Sequence, residues 1–269
     1  TTSIDLPTGR HELIVANIAD PSGNENPLAR IPFRVIDFGQ SPSAGQLVIN
    51  EIDFAPNPAE SEFVEVLNTS ESRISLARVL IGDLSDLAPI GLSPLSIEPG
   101  DYVVLTRDHL ALETRVPGVE SLEVAGWPTL NNGGDRVTLL FGADTLDSVT
   151  YTPPSGQESG SLERIDPGSP ADLSSNWVPS LDPAGATPGR RNSVFMPDTQ
   201  SPHVMFVEQT SATALRVLFD EPIETTTVSA PMFSLEGSQP SVVAPGTPGY
   251  ASDFFVVFDT IRPGRLEIS

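Results

Sequence analysis

The stretch SGSLERID, residues 159–166, decides how this chain is read. A serine behind a glycine invites comparison with a nucleophile. The G-x-S-x-G elbow is absent, however, and the three histidines, His11, His109 and His203, fall in three separate segments with no sign of convergence. Read as a strand, the same residues alternate, so Ser161 and Glu163 share one face while Leu162 and Arg164 share the other. On this reading Ser161 is structural, and the planar fork of Arg164 is free to pair with a carboxylate such as Glu163, Glu65 or Glu51. A catalytic role for Ser161 would need His109 or His203 within hydrogen-bond reach of a serine and a carboxylate, beside a cleft.

Outward from that stretch the pattern repeats. Residues 47–194 hold short apolar runs between turn signals: LVINEI, EFVEVLN, RISLARVLIGD, DYVVLTR, DRVTLLFG and TLDSVTY. Their spacing of roughly ten residues is that of a β-sandwich. Ile49, Ile52, Phe63, Val137 and Leu139 are expected to meet in one core. FMPDTQSP (195–202) reads as a linker, and HVMFVEQT, ALRVLFDEP, MFSLEG, SVVAP and DFFVVFDT come after it as a smaller β-module. Upstream, RHELIVANI and ARIPFRVID read as two strands joined by the turn ADPSGNEN, with FGQSPSAG as a linker. The fold class is therefore all-β, an Ig-like sandwich plus a second Ig-like module. The expected organisation is closing strands at 1–38, a sandwich at 46–194 and a module at 199–269 that 1–38 completes.

Composition narrows the function classes. The chain of 269 residues has no cysteine, which removes disulfide frameworks and thiolate chemistry. No apolar run approaches the roughly 20 residues of a spanning helix, so no membrane insertion is expected. A start at Thr1 without a leader reads as an excised piece of a longer chain. Acidic residues number 36 against 14 basic ones, all arginine, for a net charge of −22. Such a field opposes phosphate backbones and makes nucleic acid an unfavoured partner. With lysine absent, it also points to work in concentrated salt, where counterions screen the self-repulsion.

The ordered pieces LVINEIDFAP, EFVEVLNTSESRISLARVLIGD, IEPGDYVVLTR, LNNGGDRVTLLFGADTLDSVTY, SGSLERID, SSNW and ATPGRRNS resemble a bacterial lamin-tail domain, an Ig-like sandwich. The flanks 1–38 and 199–269 are similar to bacterial Ig-like surface-protein repeats. The resemblance implies a non-catalytic module of a long secreted or surface-attached chain and transfers no ligand.

The remaining candidates are local. Glu51, Glu65, Ser161, Glu163, Arg164 and Trp177 belong to the motifs that carry the resemblance and are taken as structural. Asp20, Asn24 and Asn26 place oxygens at short spacing and are the one weak calcium candidate, although the D-x-[DN]-x-[DN]-G pattern is missing and Asx residues favour turns without an ion. Trp127 and Trp177 could stack on sugars, or fill the sandwich. No cofactor is expected. The functional expectation is a structural, spacer or adhesive module at the cell surface or outside the cell, with an unknown protein or carbohydrate partner. The alternative is a carbohydrate- or other ligand-binding module appended to a secreted enzyme. Finally, TGRHELI (8–14) matches PGRLEIS (263–269). The N-terminal strands, ARIPFRVID above all, are therefore expected to pair with the C-terminal module, within the chain or by exchange with another copy.

Overall fold

The computed structural model describes all residues except 1–3, 5, 36, 58–59, 84–85, 92–94, 156–158 and 262–269. Two compact units, residues 1–197 and 198–269, divide it. The fold is all-β. The first unit begins with β1 (Gly9–Val15) and β2 (Ala29–Val35), which pair antiparallel with each other in a two-stranded sheet of their own. β2 takes β1 as its partner, the turn between them bringing the nearer strand into register. The matching GRLEIS segment, Gly264, Arg265, Glu267 and Ile268 included, lies outside the described residues.

The sandwich is next along the chain. Its strands are β3 (Leu47–Asp53), β4 (Phe63–Asn68), β5 (Ile74–Ser75), β6 (Val79–Gly82), β7 (Leu87–Pro89), β8 (Ser96–Ile97) and β9 (Tyr102–Thr106). After one helix, α1 (His109–Arg115), come β10 (Ser121–Glu123), β11 (Asp135–Phe141), β12 (Asp144–Tyr151), β13 (Leu162–Arg164) and β14 (Trp177–Pro179). One sheet has the order β10-β9-β4-β3-β13-β14, a second the order β12-β11-β6-β7, and β5 with β8 forms a small third. The run RISLARVLIGD is split between β5 and β6 because Arg78 sits between them in the left-handed region at φ 66°. Gly39, at φ 78°, is required where the chain enters the sandwich: a Cβ there would meet the Arg73 carbonyl oxygen at 2.7 Å, and the next residue, Gln40, bridges to Ile74.

Alternation builds the core between the two sheets. Ile49, Ile52, Val64, Val66, Leu105, Val137, Leu139 and Leu162 are buried in one cluster, each such side chain contributing about 1.5–3 kcal/mol by leaving water. Phe63 departs from its expected place. It faces the other side of β4 and packs with Val104, Leu112, Val119 and Ala186 in a separate cluster, since Val64 and Val66 already take the core face and side chains alternate with period two. β3 and β4 are consequently buried on both faces. The polar residues of the outer face are covered by α1 and by the chain from Gly185 to Val194.

α1 is not legible from periodicity, being only seven residues long. Its signal is Asp108, whose side chain accepts from the Ala111 amide as an N-cap.

The second unit is a sheet β15-β16-β18-β17, formed by β15 (Val204–Gln209), β16 (Ala214–Glu224), β17 (Val242–Pro245) and β18 (Tyr250–Val257). One face gathers Val217, Val256 and Phe258, against which Leu215, Phe219, Phe233 and Leu235 pack.

Candidate functional site

The densest chemistry lies on the outer face of β3, β4 and β13, where Glu51, Glu65 and Glu163 are all wholly buried. A bulge at Ile49–Glu51 interrupts the β3–β4 register. It turns Asn50 and Glu51 away from the core while Ile49 and Ile52 remain in it. Across the sheet Glu51 stands opposite Glu65 on β4 and opposite Glu163 on β13.

Three carboxyls side by side repel one another, and their stability in this place depends on donors from the returning chain. Glu51 Oε1 accepts from Ser161 Oγ at 2.5 Å and from the Thr187 amide at 2.8 Å. Glu65 accepts from Asn50 Nδ2 at 2.8 Å and from the Gly189 amide at 2.6 Å. Glu163 accepts from Ser193 Oγ at 2.7 Å and from the Val194 amide at 3.1 Å. Asn192 completes the lattice: its Nδ2 donates to the carbonyls of Asn50 and Arg164, both at 2.9 Å.

Burial and mutual repulsion disfavour full ionisation of the cluster. Thr187 Oγ1 lies 3.0 Å from both Glu51 Oε2 and Glu163 Oε1. One hydroxyl proton cannot serve two carboxylates. A proton on one of the two carboxyls lets Thr187 accept from it while donating to the other. Burial pushes Glu51 up from 4.5 to about 7, with Glu163 adding repulsion against the relief from Ser161 and Thr187. Glu65 is raised well above the ordinary range by burial and by the charge of Glu51. Burial thus favours the protonated form of both Glu51 and Glu65.

Arg164, on the other face of β13, does not pair with Glu163, Glu65 or Glu51. Its Nη1 donates to Asp147 Oδ2 and to the Ile49 carbonyl, both at 2.9 Å, and Nη2 donates to the Ser169 carbonyl at 2.5 Å. The reason is again alternation: one residue beyond Glu163, it points into the sandwich, where Asp147 of β12 is the carboxylate within reach. Trp177 lies alongside, 5.9 Å from the guanidinium, and donates to the Ala171 carbonyl at 2.8 Å. At the far end of β3, Asp53 is raised to about 6 by burial, offset by its ion pair with Arg115.

The calcium candidates form a closed turn. Asp20 accepts from the Ser22 and Asn24 amides and from Asn24 Nδ2, all at 2.9 Å, and Asn26 Oδ1 accepts from the Ile18 amide at 2.7 Å. These oxygens hold the turn together. No group of three or more His, Cys, Asp or Glu able to hold a metal occurs among the described residues. Trp127 is half-buried and its indole N–H donates to Glu62 at 2.8 Å.

One pairing is invisible in the sequence. His109 Nδ1 lies 2.8 Å from Ser121 Oγ, because α1 folds back beside β10. Glu113, one turn along, stands 3.9 Å from His109 Nε2, outside hydrogen-bond reach. The third member of a triad is thus too far away to orient the imidazole. A shallow groove of about 370 Å³ runs past Ser121.

Residues 40–153 match the family model of the Lamin Tail Domain. The matched stretch is less than half the chain and ends before β13, although β13, β14 and the segment to Val194 complete both the sheet and the carboxylate cluster. Neither curated proteins nor solved structures yield a match. A non-catalytic structural module is what the Lamin Tail Domain match supports.

Proposed function

We propose that this chain is a structural spacer of a secreted or cell-surface protein, without a catalytic centre and adapted to concentrated salt. The observation that carries the reading is the closure of the carboxylate cluster. The most concentrated set of ionisable groups has no exposure to solvent, and its carboxylates are held by hydroxyls and amides of the same chain. Such an arrangement ties β3, β4 and β13 to the returning segment rather than presenting an acid and a base to a substrate. The lack of lysine and the net charge of −22 support the salt adaptation.

The test is thermal unfolding across a series from dilute to molar potassium chloride. The melting temperature is expected to climb throughout, as screening relieves carboxylate repulsion. A melting temperature that stays flat or falls overturns the adaptation to brine. Binding on a glycan array would overturn the spacer role in favour of a carbohydrate-binding module.

A further inference from the structure

The segment 185–194 lies over the outer face of the sandwich and contains no strand. Its backbone amides end on carboxyls instead of joining a β-ladder. The Thr187 amide donates to Glu51 at 2.8 Å, the Gly189 amide to Glu65 at 2.6 Å and the Val194 amide to Glu163 at 3.1 Å. Each glutamate, on its own strand, thus takes one backbone donor from the segment. Side chains repeat the pattern: Thr187 Oγ1 stands 3.0 Å from Glu51 and from Glu163, and Ser193 Oγ donates to Glu163 at 2.7 Å. Three further holds are added by Asn192 on the Asn50 and Arg164 carbonyls, by the Gly185 carbonyl, which accepts from the Ser161 amide at 3.0 Å, and by Ala186, packed with Phe63, Val104, Leu112 and Val119.

The charges around the cluster are committed elsewhere. Arg164 faces into the sandwich and pairs with Asp147, and Arg115 of α1 pairs with Asp53. On the segment itself Arg190 pairs with Asp182, and Arg191 lies over the Phe195 ring. Tyr102 of β9 has its phenol pushed up by burial and by the charge of Glu65. Glu51 is therefore flanked across the sheet by two more carboxyls, Glu65 and Glu163. Burial and repulsion oppose ionisation, whereas the donors of the segment favour it. The first two prevail, since Glu51 is pushed up to about 7 and Glu65 well above the ordinary range. Lifting the segment lets water reach the face and removes the burial.

We propose that the segment 185–194 is a pH-set strap, closed over the three glutamates while the cluster keeps its protons and opening, with the sandwich otherwise folded, as the cluster ionises. The sign follows from linkage: a group that binds its proton more tightly under the closed strap supports closure fully at low pH and withdraws that support as pH climbs through about 7. With the ordinary glutamate value in the open state, Glu51 alone raises the opening constant about 70-fold from pH 5 to pH 8. Glu65 acts in the same direction. Because the strap has no ladder bonds to break, its opening exposes far less surface than unfolding of the sandwich. It also adds about 30 Å of free chain, at about 3.3 Å per residue, ahead of the C-terminal unit that begins at residue 198.

Backbone-amide hydrogen exchange of the full chain, read by NMR in constant molar sodium chloride and corrected for the intrinsic pH dependence of exchange, tests the strap. Protection at Thr187, Gly189 and Val194 is expected to fall at least about 70-fold from pH 5 to pH 8, and to change little when sub-denaturing urea is added. Amides of the β4–β9 ladder are expected to stay better protected at both pH values and to lose protection steeply with urea. In Glu51→Gln the fall at the strap shrinks by about the same 70-fold factor. Strap protection that is constant from pH 5 to pH 8 overturns the inference. So does strap exchange that shares the rate and urea dependence of the ladder, which would make it global unfolding, or a fall as large in Glu51→Gln as in the parent. The first two comparisons need no variant.

Discussion

Replacing Glu51 with Gln isolates the proton held in the carboxylate cluster. The folded state raises Glu51 from 4.5 to about 7. Between those values the folded protein binds more protons at this site than the unfolded chain, so stability falls as pH rises through the window and the loss is complete above pH 7. At about 1.4 kcal/mol per unit the loss is about 3 kcal/mol. A glutamine fits the same contacts. Its carbonyl takes the place of Oε1 and accepts from Ser161 and the Thr187 amide, and its amide nitrogen takes the place of Oε2 and donates to Thr187, which donates on to Glu163. The second amide proton, which protonated Glu51 lacks, costs about 1 kcal/mol if left without an acceptor.

Glu51→Gln is therefore expected to be about 2 kcal/mol more stable than the parent at pH 8 and close to the parent at pH 5, where the parent has already lost about 1 kcal/mol, combining the linkage and desolvation terms. Removing the Glu51 charge also lets Glu65 fall toward its ordinary range, because that charge is one of the causes of its rise. Urea unfolding at both pH values in constant molar sodium chloride measures the difference. Trp127 and Trp177, the chain's two tryptophans, both lie in the sandwich, so fluorescence reports on that unit alone. General carboxylate repulsion is common to both proteins and cancels. A parent-to-variant difference that is the same at pH 5 and pH 8, or a variant less stable at pH 8, refutes the proton assignment.

Two further outcomes are expected. A chain ending at Tyr151, near the end of the matched family region, loses the donors from Ser161, Thr187, Gly189 and Ser193 and leaves β3 as a bare edge. It is expected to lack a cooperative urea transition, whereas a chain ending at Pro197 keeps the transition of the full protein. Arg164→Met should destabilise the sandwich by about 3–5 kcal/mol, the usual penalty for breaking one partner of a buried pair, here Asp147. Arg164→Lys should recover only part of this, since an ammonium cannot reach three oxygens in two directions.

Period-two alternation accounts for the legible part of this protein. Short apolar runs between turns mark the strands, and SGSLERID reads as a strand with Ser161 and Glu163 to one side and Arg164 to the other. Alternation cannot supply the partner on the facing strand, which depends on bulges and register. The bulge at Ile49–Glu51 turns Glu51 outward, and the covering segment that satisfies it comes from far downstream, Thr187 and Glu51 being separated by 136 positions. Arg164 accordingly pairs with a carboxylate that its own strand motif does not point to: Asp147 belongs to the opposing sheet, and proximity across a sandwich leaves no trace in spacing. Phe63 lies outside its expected cluster for a related reason, because a strand buried on both faces shows no polar alternation to say which side is core. The buried cluster illustrates the same limit at the level of chemistry. Glu51, Glu65 and Glu163 each stand in an ordinary-looking strand motif, and only their burial side by side, with the Thr187 hydroxyl between two of them, disfavours the three negative charges that the sequence implies.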